Sequence, residues 1–277
     1  VLKQRIITAL VLVGAMTCAI VFLSPLYFAA VMTVIILAAS WEWSALAGLQ
    51  GTVSRATYTL SSLLLIAAVA WYCQLMSESL AWLQVREVLG LGCLWWAVAL
   101  LWVKSYPASG KLWGAVPARL VMGFLVLIPA WLAFISLRFN AHGIAYLFIL
   151  LALVACADTG AYFSGKAWGK AKLAVAVSPG KSWAGFWGGL AATCGLSVAL
   201  WYGYGTDTMR LEVVLVVAVL TGLASVLGDL LESMVKRHQG VKDSGTILPG
   251  HGGIMDRLDS LTAAAPVYAL CLLLVGW

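Results

Sequence analysis

The stretch Ser233 to Asp259 reads SMVKRHQGVKDSGTILPGHGGIMDRLD and lies between two apolar runs, at about 212–232 and 258–276. It gathers Asp243, Asp256 and Asp259 beside Lys236, Arg237, Lys242 and Arg257, with Gly-His-Gly-Gly at 250–253. Outside it the chain is very different. Of 277 residues, 63% are hydrophobic and only 10% charged, and the mean hydropathy is +0.98. A soluble chain of this size carries roughly 25% charged residues. The solvent of this chain is therefore lipid, and the expected fold is all-α, a polytopic integral membrane protein.

Runs of the length needed to cross a bilayer, about 17–25 residues, fall at 6–23, 26–47, 57–76, 88–103, 119–136, 144–164, 183–203, 212–232 and 258–276. That predicts about nine transmembrane helices, divided into an N-terminal scaffold (1–136), a place for dimer contacts, and a C-terminal part (137–277) that bears the site. Val-Leu-Lys-Gln-Arg followed by an apolar run mimics a signal peptide, but the run lacks a small-residue cleavage site and reads as the first span. The 14 Trp suit interfacial belts. Cys18, Cys73, Cys93, Cys156, Cys194 and Cys271 sit in apolar runs without a CxxC pair, as small core residues do. Of the 17 Lys and Arg, all but Arg86, Arg138 and Arg210 fall on one side of this layout. The positive-inside rule puts that side, with the N-terminus and the three longer loops, in the cytoplasm. The net charge of +6 reports this orientation and attraction to anionic headgroups, not a nucleic-acid partner.

Chemistry concentrates at the cytoplasmic edge. Asp229, Glu232, Ser233 and Lys236 recur at i, i+3, i+4 and i+7, one face of a helix. A carboxylate at a membrane edge is costly unless paired, so Asp229 is either functional or in an ion pair with Lys236 or Arg237. Asp256 and Asp259 share a face of the next helix, where acids also complement the macrodipole. Three carboxylates together call for a cation, and hard oxygen ligands favour Mg²⁺. Between them, Lys242-Asp243 and the glycines Gly252 and Gly253 form a loop in which backbone amides can approach an anion closely. His251 suits a phosphate donor, a proton shuttle or a brace for the loop. A second polar block holds Asp158, Tyr162 and Lys166, then Ser178-Pro-Gly-Lys181-Ser182-Trp183. Asp158, inside a span, needs a partner or a wet cavity. Ser178 is placed as an N-cap opening the seventh span, where Lys181 and Ser182 at a helix N-terminus suit phosphate. Pro-Gly-Lys-Ser matches the end of a Walker A motif, but Val175 stands where its first glycine belongs and no strand is expected before it, so an NTPase fold is rejected. Glu42, between Trp41 and Trp43, reads as part of an interfacial anchor.

These residues resemble a known family. Ser-x-x-Lys-Arg, four residues, Lys-Asp-x-Gly, then Pro-x-His-Gly-Gly-x-x-Asp-Arg-x-Asp is similar to the signature of phosphatidate cytidylyltransferases, and every fixed position is present. The resemblance covers roughly 158–266, including the Ser178–Trp183 stretch. It departs at Ala184, where the family often carries Glu or Gln. The resemblance implies an integral membrane enzyme of the bacterial inner membrane, acting on CTP and phosphatidic acid to give CDP-diacylglycerol and pyrophosphate. It also implies a homodimer and Mg²⁺ held by Asp229, Asp256 and Asp259, with a potassium ion beside it. Lys181, Lys236, Arg237, Lys242 and Arg257 would hold the triphosphate or the lipid phosphate. Two rival classes stay open at this point. A transporter would use Asp158 and Asp229 along a pathway, although the chain has no clear internal repeat. A CTP-dependent lipid kinase would transfer the γ-phosphoryl group instead.

Overall fold

A backbone in lipid finds no water for its amides, so each span must bond them internally, and a helix does so. In the computed structural model, which describes residues 2–77, 79–204, 209–248, 250 and 252–276 (of 2–5 and 204 only the backbone), the chain forms α1 (Leu2–Phe22), α2 (Pro25–Leu46), α3 (Thr52–Tyr72), α4 (Trp82–Lys104), the single turn α5 (Gly110–Trp113), α6 (Val116–Phe139), α7 (Gly143–Trp168), the strands β1 (Lys172–Ala174) and β2 (Ser178–Ser182), α8 (Trp183–Tyr204), α9 (Leu211–Gln239) and α10 (Met255–Val275). Among the described residues, 8 helices are long and apolar enough to cross a membrane, from α2 to α10 without α5. Ile6–Phe22, where the first span was predicted, is a shorter apolar helix.

Local chemistry sets several boundaries. Ser24 is extended (φ −64°, ψ 159°) and Pro25 opens α2 at a position where no amide partner is lost, so two helices are separated by two residues. Gly240 adopts φ 77° and ends α9 in the left-handed conformation that only glycine takes freely. The predicted eighth span stops at 232, but α9 runs on to Gln239. Its last turn carries Lys236, Arg237 and His238, cations that suit the negative end of a helix dipole.

The sequence expectation fails at Ser178. Residues 178–182 do not start a helix. They form β2, antiparallel to β1, with Lys172 opposite Ser182 and Ala174 opposite Ser178. The helix starts at Trp183, and its cap is Ser182, whose Oγ accepts the Gly185 amide at 3.1 Å. Pro179 lacks an N–H, which an edge strand tolerates. A strand does therefore precede part of the Walker-like tetrapeptide, against expectation. Pro-Gly-Lys-Ser lies within the hairpin itself, so it is not the loop that an NTPase wraps around phosphate.

α6 is the most buried helix and packs on α2, α3, α4, α7 and α10. Gly92 of α4 lets that helix lie on Pro129 of α6, where a Cβ would come within 2.6 Å of the proline Cβ. Around this centre, α7 packs most extensively on α8, and α10 on α9. Small residues make the first of these contacts close: a Cβ on Gly160 would meet Ala192 Cβ at 2.6 Å.

The helices alternate in direction, so the ends of α2, α4, α7 and α9 meet the starts of α3, α6, α8 and α10 at one end of the bundle. Polar contacts tie that end together. Arg119 Nη1 donates to Leu46 O (3.0 Å) and Gln239 Oε1 (2.6 Å). Trp43 Nε1 donates to Arg119 O at 2.8 Å, and the His238 ring lies 4.8 Å from that of Trp113. At the other end, Arg138 Nη2 donates to Leu23 O at 2.7 Å.

Candidate active site

The face of α9 that carries Asp229, Glu232, Ser233 and Lys236 serves two different neighbours. Its upper part looks into a cleft. Lys181 from β2 places Nζ 2.6 Å from Asp229 Oδ2, and Ser233 Oγ donates to Asp229 Oδ1 at 3.2 Å. The cleft, about 440 Å³, lies between α7, α8, α9 and β2. Asp158, Tyr162, Lys166, Lys181, Ser182 and Asp229 make it polar, while Phe186, Leu190, Leu223 and Val226 line an apolar part. Lys166 Nζ lies 5.9 Å from the centre of the Tyr162 ring. Around the cleft, Phe163, Trp168 and Trp187 are exposed, as suits side chains that face lipid.

The lower part of the α9 face is buried against α10. Lys236 Nζ lies 2.7 Å from Asp256 Oδ1 and 3.1 Å from Glu232 Oε2, and all three side chains are at most 10% exposed. Asp256 Oδ2 also accepts the backbone amides of Ser244 and Gly253, each at 2.9 Å. Asp256 therefore closes the glycine loop onto the start of α10. Leu248 N donates to Gly252 O at 2.9 Å, and Gly250 and Gly252 take φ 76° and 80°, so this turn requires glycine. Lys242, Asp243, Arg237 and Arg257 are exposed around the loop. Arg237 Nε donates to Val177 O at 3.4 Å, which ties α9 to the hairpin turn. His251 lies outside the described residues.

The residues singled out in the sequence thus divide. Asp158, Tyr162, Lys166, Lys181, Ser182 and Asp229 meet in the cleft. Ser178 pairs within the hairpin, and its role as a helix cap is lost to Ser182. Lys236, expected to hold phosphate, is engaged by two carboxylates. Gly253 is buried and closes the loop by its amide.

The donor set bears on the expected metal. No group of three His, Cys, Asp or Glu side chains among the described residues is arranged to hold a metal by itself. Asp256 is turned to Lys236 and the loop amides. Asp229 and Asp259 lie within electrostatic reach of each other, as do Asp158 and Asp229. Asp259 Oδ1 accepts the Ser260 amide at 2.7 Å. A pair of carboxylates is a donor set that suits Mg²⁺, which keeps several waters and takes substrate phosphate oxygens as well, although Asp229 is here engaged by Lys181 and Ser233.

Glu42 is the residue that sequence reasoning misplaced. It is no interfacial anchor. Its side chain is 2% exposed, and Oε2 accepts Ser244 Oγ (3.1 Å) and the Met255 amide (2.8 Å). Trp43 is fully buried, and Arg55 covers the Trp41 ring at 4.2 Å. The signal that pointed to Asp158, a lone carboxylate within an apolar run, applies equally to Glu42.

Membrane-length helices around a half-polar cleft, with lysines and carboxylates gathered at one end, define a polytopic membrane protein. Residues 3–275 match the sequence profile of the Cytidylyltransferase family, and the chain belongs to that family. It is 42% identical to the phosphatidate cytidylyltransferase of Pseudomonas aeruginosa, over 100% of this chain and 98% of that protein. The phosphatidate cytidylyltransferase of Haemophilus influenzae is 38% identical, over 97% of each chain. That of Staphylococcus aureus is 46% identical over 135 residues, 48% of this chain and 51% of that protein.

Proposed function

We propose that the chain is a phosphatidate cytidylyltransferase, transferring CMP from CTP to phosphatidic acid and releasing pyrophosphate. The observation that carries this reading is the cleft. Its polar part brings Lys181, Lys166, Asp158 and Asp229 beside an apolar part that suits an acyl chain, and exposed aromatic side chains lie around it. The full-length similarity to proteins of that name supports the same reading. We place the site at the cytoplasmic face of a bacterial inner membrane, where the excess of Lys and Arg favours it.

In this mechanism an oxygen of the lipid phosphate attacks the α-phosphorus of CTP. The new P–O bond forms as the bond to the β-phosphate oxygen breaks, and the electron pair leaves with pyrophosphate. The nucleophile is already an anion, so no covalent enzyme intermediate is required. Alignment and charge neutralisation then do most of the work. Lys181 is aimed into the cleft by its ion pair with Asp229 and meets phosphate there. Lys166 adds positive charge on the opposite wall, and Lys242 and Arg257 border the loop that faces the triphosphate. Backbone amides of the glycine turn approach the anion without a side chain in the way. When bound, Mg²⁺ neutralises the triphosphate and the leaving pyrophosphate, and Asp229 and Asp259 are the residues that would hold it.

The test uses purified protein in detergent with labelled CTP and phosphatidic acid. CDP-lipid with pyrophosphate is expected. CDP with a newly phosphorylated lipid would make the protein a kinase. Solute uptake by proteoliposomes without nucleotide, and no lipid product, would make it a transporter.

A further inference from the structure

We propose that Glu42 is a positioning residue for the glycine loop, reaching from the second helix to hold the 243–255 segment in the form that receives CTP. The first ground is the contact itself. Ser244 and Met255 flank the loop, and the same carboxylate oxygen takes a hydrogen bond from each, across 202 and 213 residues of sequence. Asp256 closes the loop from inside through Ser244 N and Gly253 N. Glu42 closes it from the other side. Ser244 is shared, since its amide serves Asp256 and its hydroxyl serves Glu42.

The second ground is the space around the carboxylate. A Cβ on Gly245 would lie 2.8 Å from Glu42 Cδ, and one on Gly253 would run into Ser244 Oγ and Glu42 Oε2. These two glycines are therefore needed for the close approach of Glu42, separately from the turn at Gly250 and Gly252. The third ground is the platform. Arg55 Nη2 donates to Trp41 O (2.9 Å) and its Nε to Ser44 Oγ (3.2 Å), while Trp43 donates to Arg119 O. Residues on both sides of Glu42 are fixed by α3 and α6, so the carboxylate is delivered from a rigid element. The fourth ground is the cost. Glu42 Oε1 is buried without a hydrogen-bond partner among the described residues. A side chain kept only for packing would be apolar at this depth, because an unpartnered buried acceptor opposes folding.

The proposal rests on the cytidylyltransferase reading for its substrate, and the experiment separates the two. Hydrogen exchange followed by mass spectrometry is measured on the full chain, as wild type, Glu42→Gln and Glu42→Ala, without substrate. Loss of a hydrogen bond to a charged acceptor predicts exchange faster by roughly tenfold in peptides spanning 240–255 of Glu42→Ala. Peptides of α2, α3 and α6 should keep their protection. Glu42→Gln, which retains one acceptor oxygen, should fall between. In turnover assays, KM for CTP should rise roughly tenfold in Glu42→Ala, while KM for phosphatidic acid stays within a factor of about two. Unchanged loop exchange in Glu42→Ala would overturn the proposal. So would faster exchange spread evenly over α2, α3 and α6, since that marks Glu42 as a general packing residue. If wild type turns over neither substrate, the functional reading fails while the exchange result still decides the role of Glu42.

Discussion

Removing Lys236 should destabilise the protein far more than removing the carboxylate beside it. Lys236 stands between Glu232 and Asp256, at 3.1 and 2.7 Å, with all three groups withdrawn from solvent. Lys236→Met keeps most of the side-chain volume but leaves two carboxylates facing each other without a cation. Breaking a buried pair in this way costs about 3–5 kcal/mol. At roughly 2–4 °C per kcal/mol for a chain of this size, the melting temperature should fall by about 6–20 °C. Glu232→Gln does the opposite to the charge. It leaves a neutral Lys236–Asp256 pair and removes an anion whose Oε1 has no partner among the described residues. Its effect should stay within about 1 kcal/mol. The double variant should recover part of the loss, because Asp256 alone still has the two loop amides. Thermal unfolding in detergent micelles, followed by tryptophan fluorescence, reads all four proteins. Equal losses for Lys236→Met and Glu232→Gln, or no recovery in the double variant, would refute the charge argument.

Four other outcomes follow from the same geometry. Lys181→Met should lower turnover by about a hundredfold or more, as expected for a group that neutralises developing charge. Its melting temperature should barely move, since the partly exposed pair with Asp229 contributes about 1 kcal/mol or less. Gly228→Ala would press a methyl group against Asp259 O and Ala263 Cβ. It should spread α9 from α10, costing about 1–3 kcal/mol in unfolding experiments and most of the turnover. Lys104→Ala, on an exposed residue at the end of α4, should leave turnover and melting unchanged within about 0.5 kcal/mol. Chelation should abolish product formation, and Mg²⁺ should restore it, with potassium varied separately; full turnover after chelation would remove the metal from the proposal.

The helices were legible because lipid imposes one rule on every span, and runs of apolar residues report it directly. Their polar ends were not. The predicted eighth span was cut at 232, where charged residues crowd together on α9. Lys236 is held inside by Glu232 and Asp256, so the helix extends seven residues past the hydropathy signal. The hairpin failed for a different reason. Three- and five-residue strands bury little and follow their pairing partner, and nothing in Ser178–Ser182 names Lys172–Ala174 as that partner. Pro179 looked like the first turn of a helix, a position that it occupies as readily as an edge strand.

The site shows the same division at finer scale. Ser233 with Asp229, and Lys236 with Glu232, lie four residues apart, so helical spacing alone places them together. Lys181 with Asp229, Ser244 with Asp256 and Glu42 with Met255 depend on how separate segments meet, and no local period encodes them. Yet one general constraint reaches across that gap. A chain with 11 acids in 277 residues cannot leave a carboxylate idle within an apolar run. Applied evenly, that constraint marks Glu42 as strongly as Asp158 and requires each to have a purpose. Asp158 meets it by lining the polar part of the cleft. Glu42 meets it by holding the loop, and it is the loop's glycines, Gly245 and Gly253, that make room for it. The glycines of the 245–253 stretch therefore serve two masters. Gly250 and Gly252 permit the turn, while Gly245 and Gly253 admit a carboxylate from the other half of the chain. Alanine at either of the last two should reproduce the loop defect of Glu42→Ala, because its methyl group displaces a carboxylate that the chain still carries.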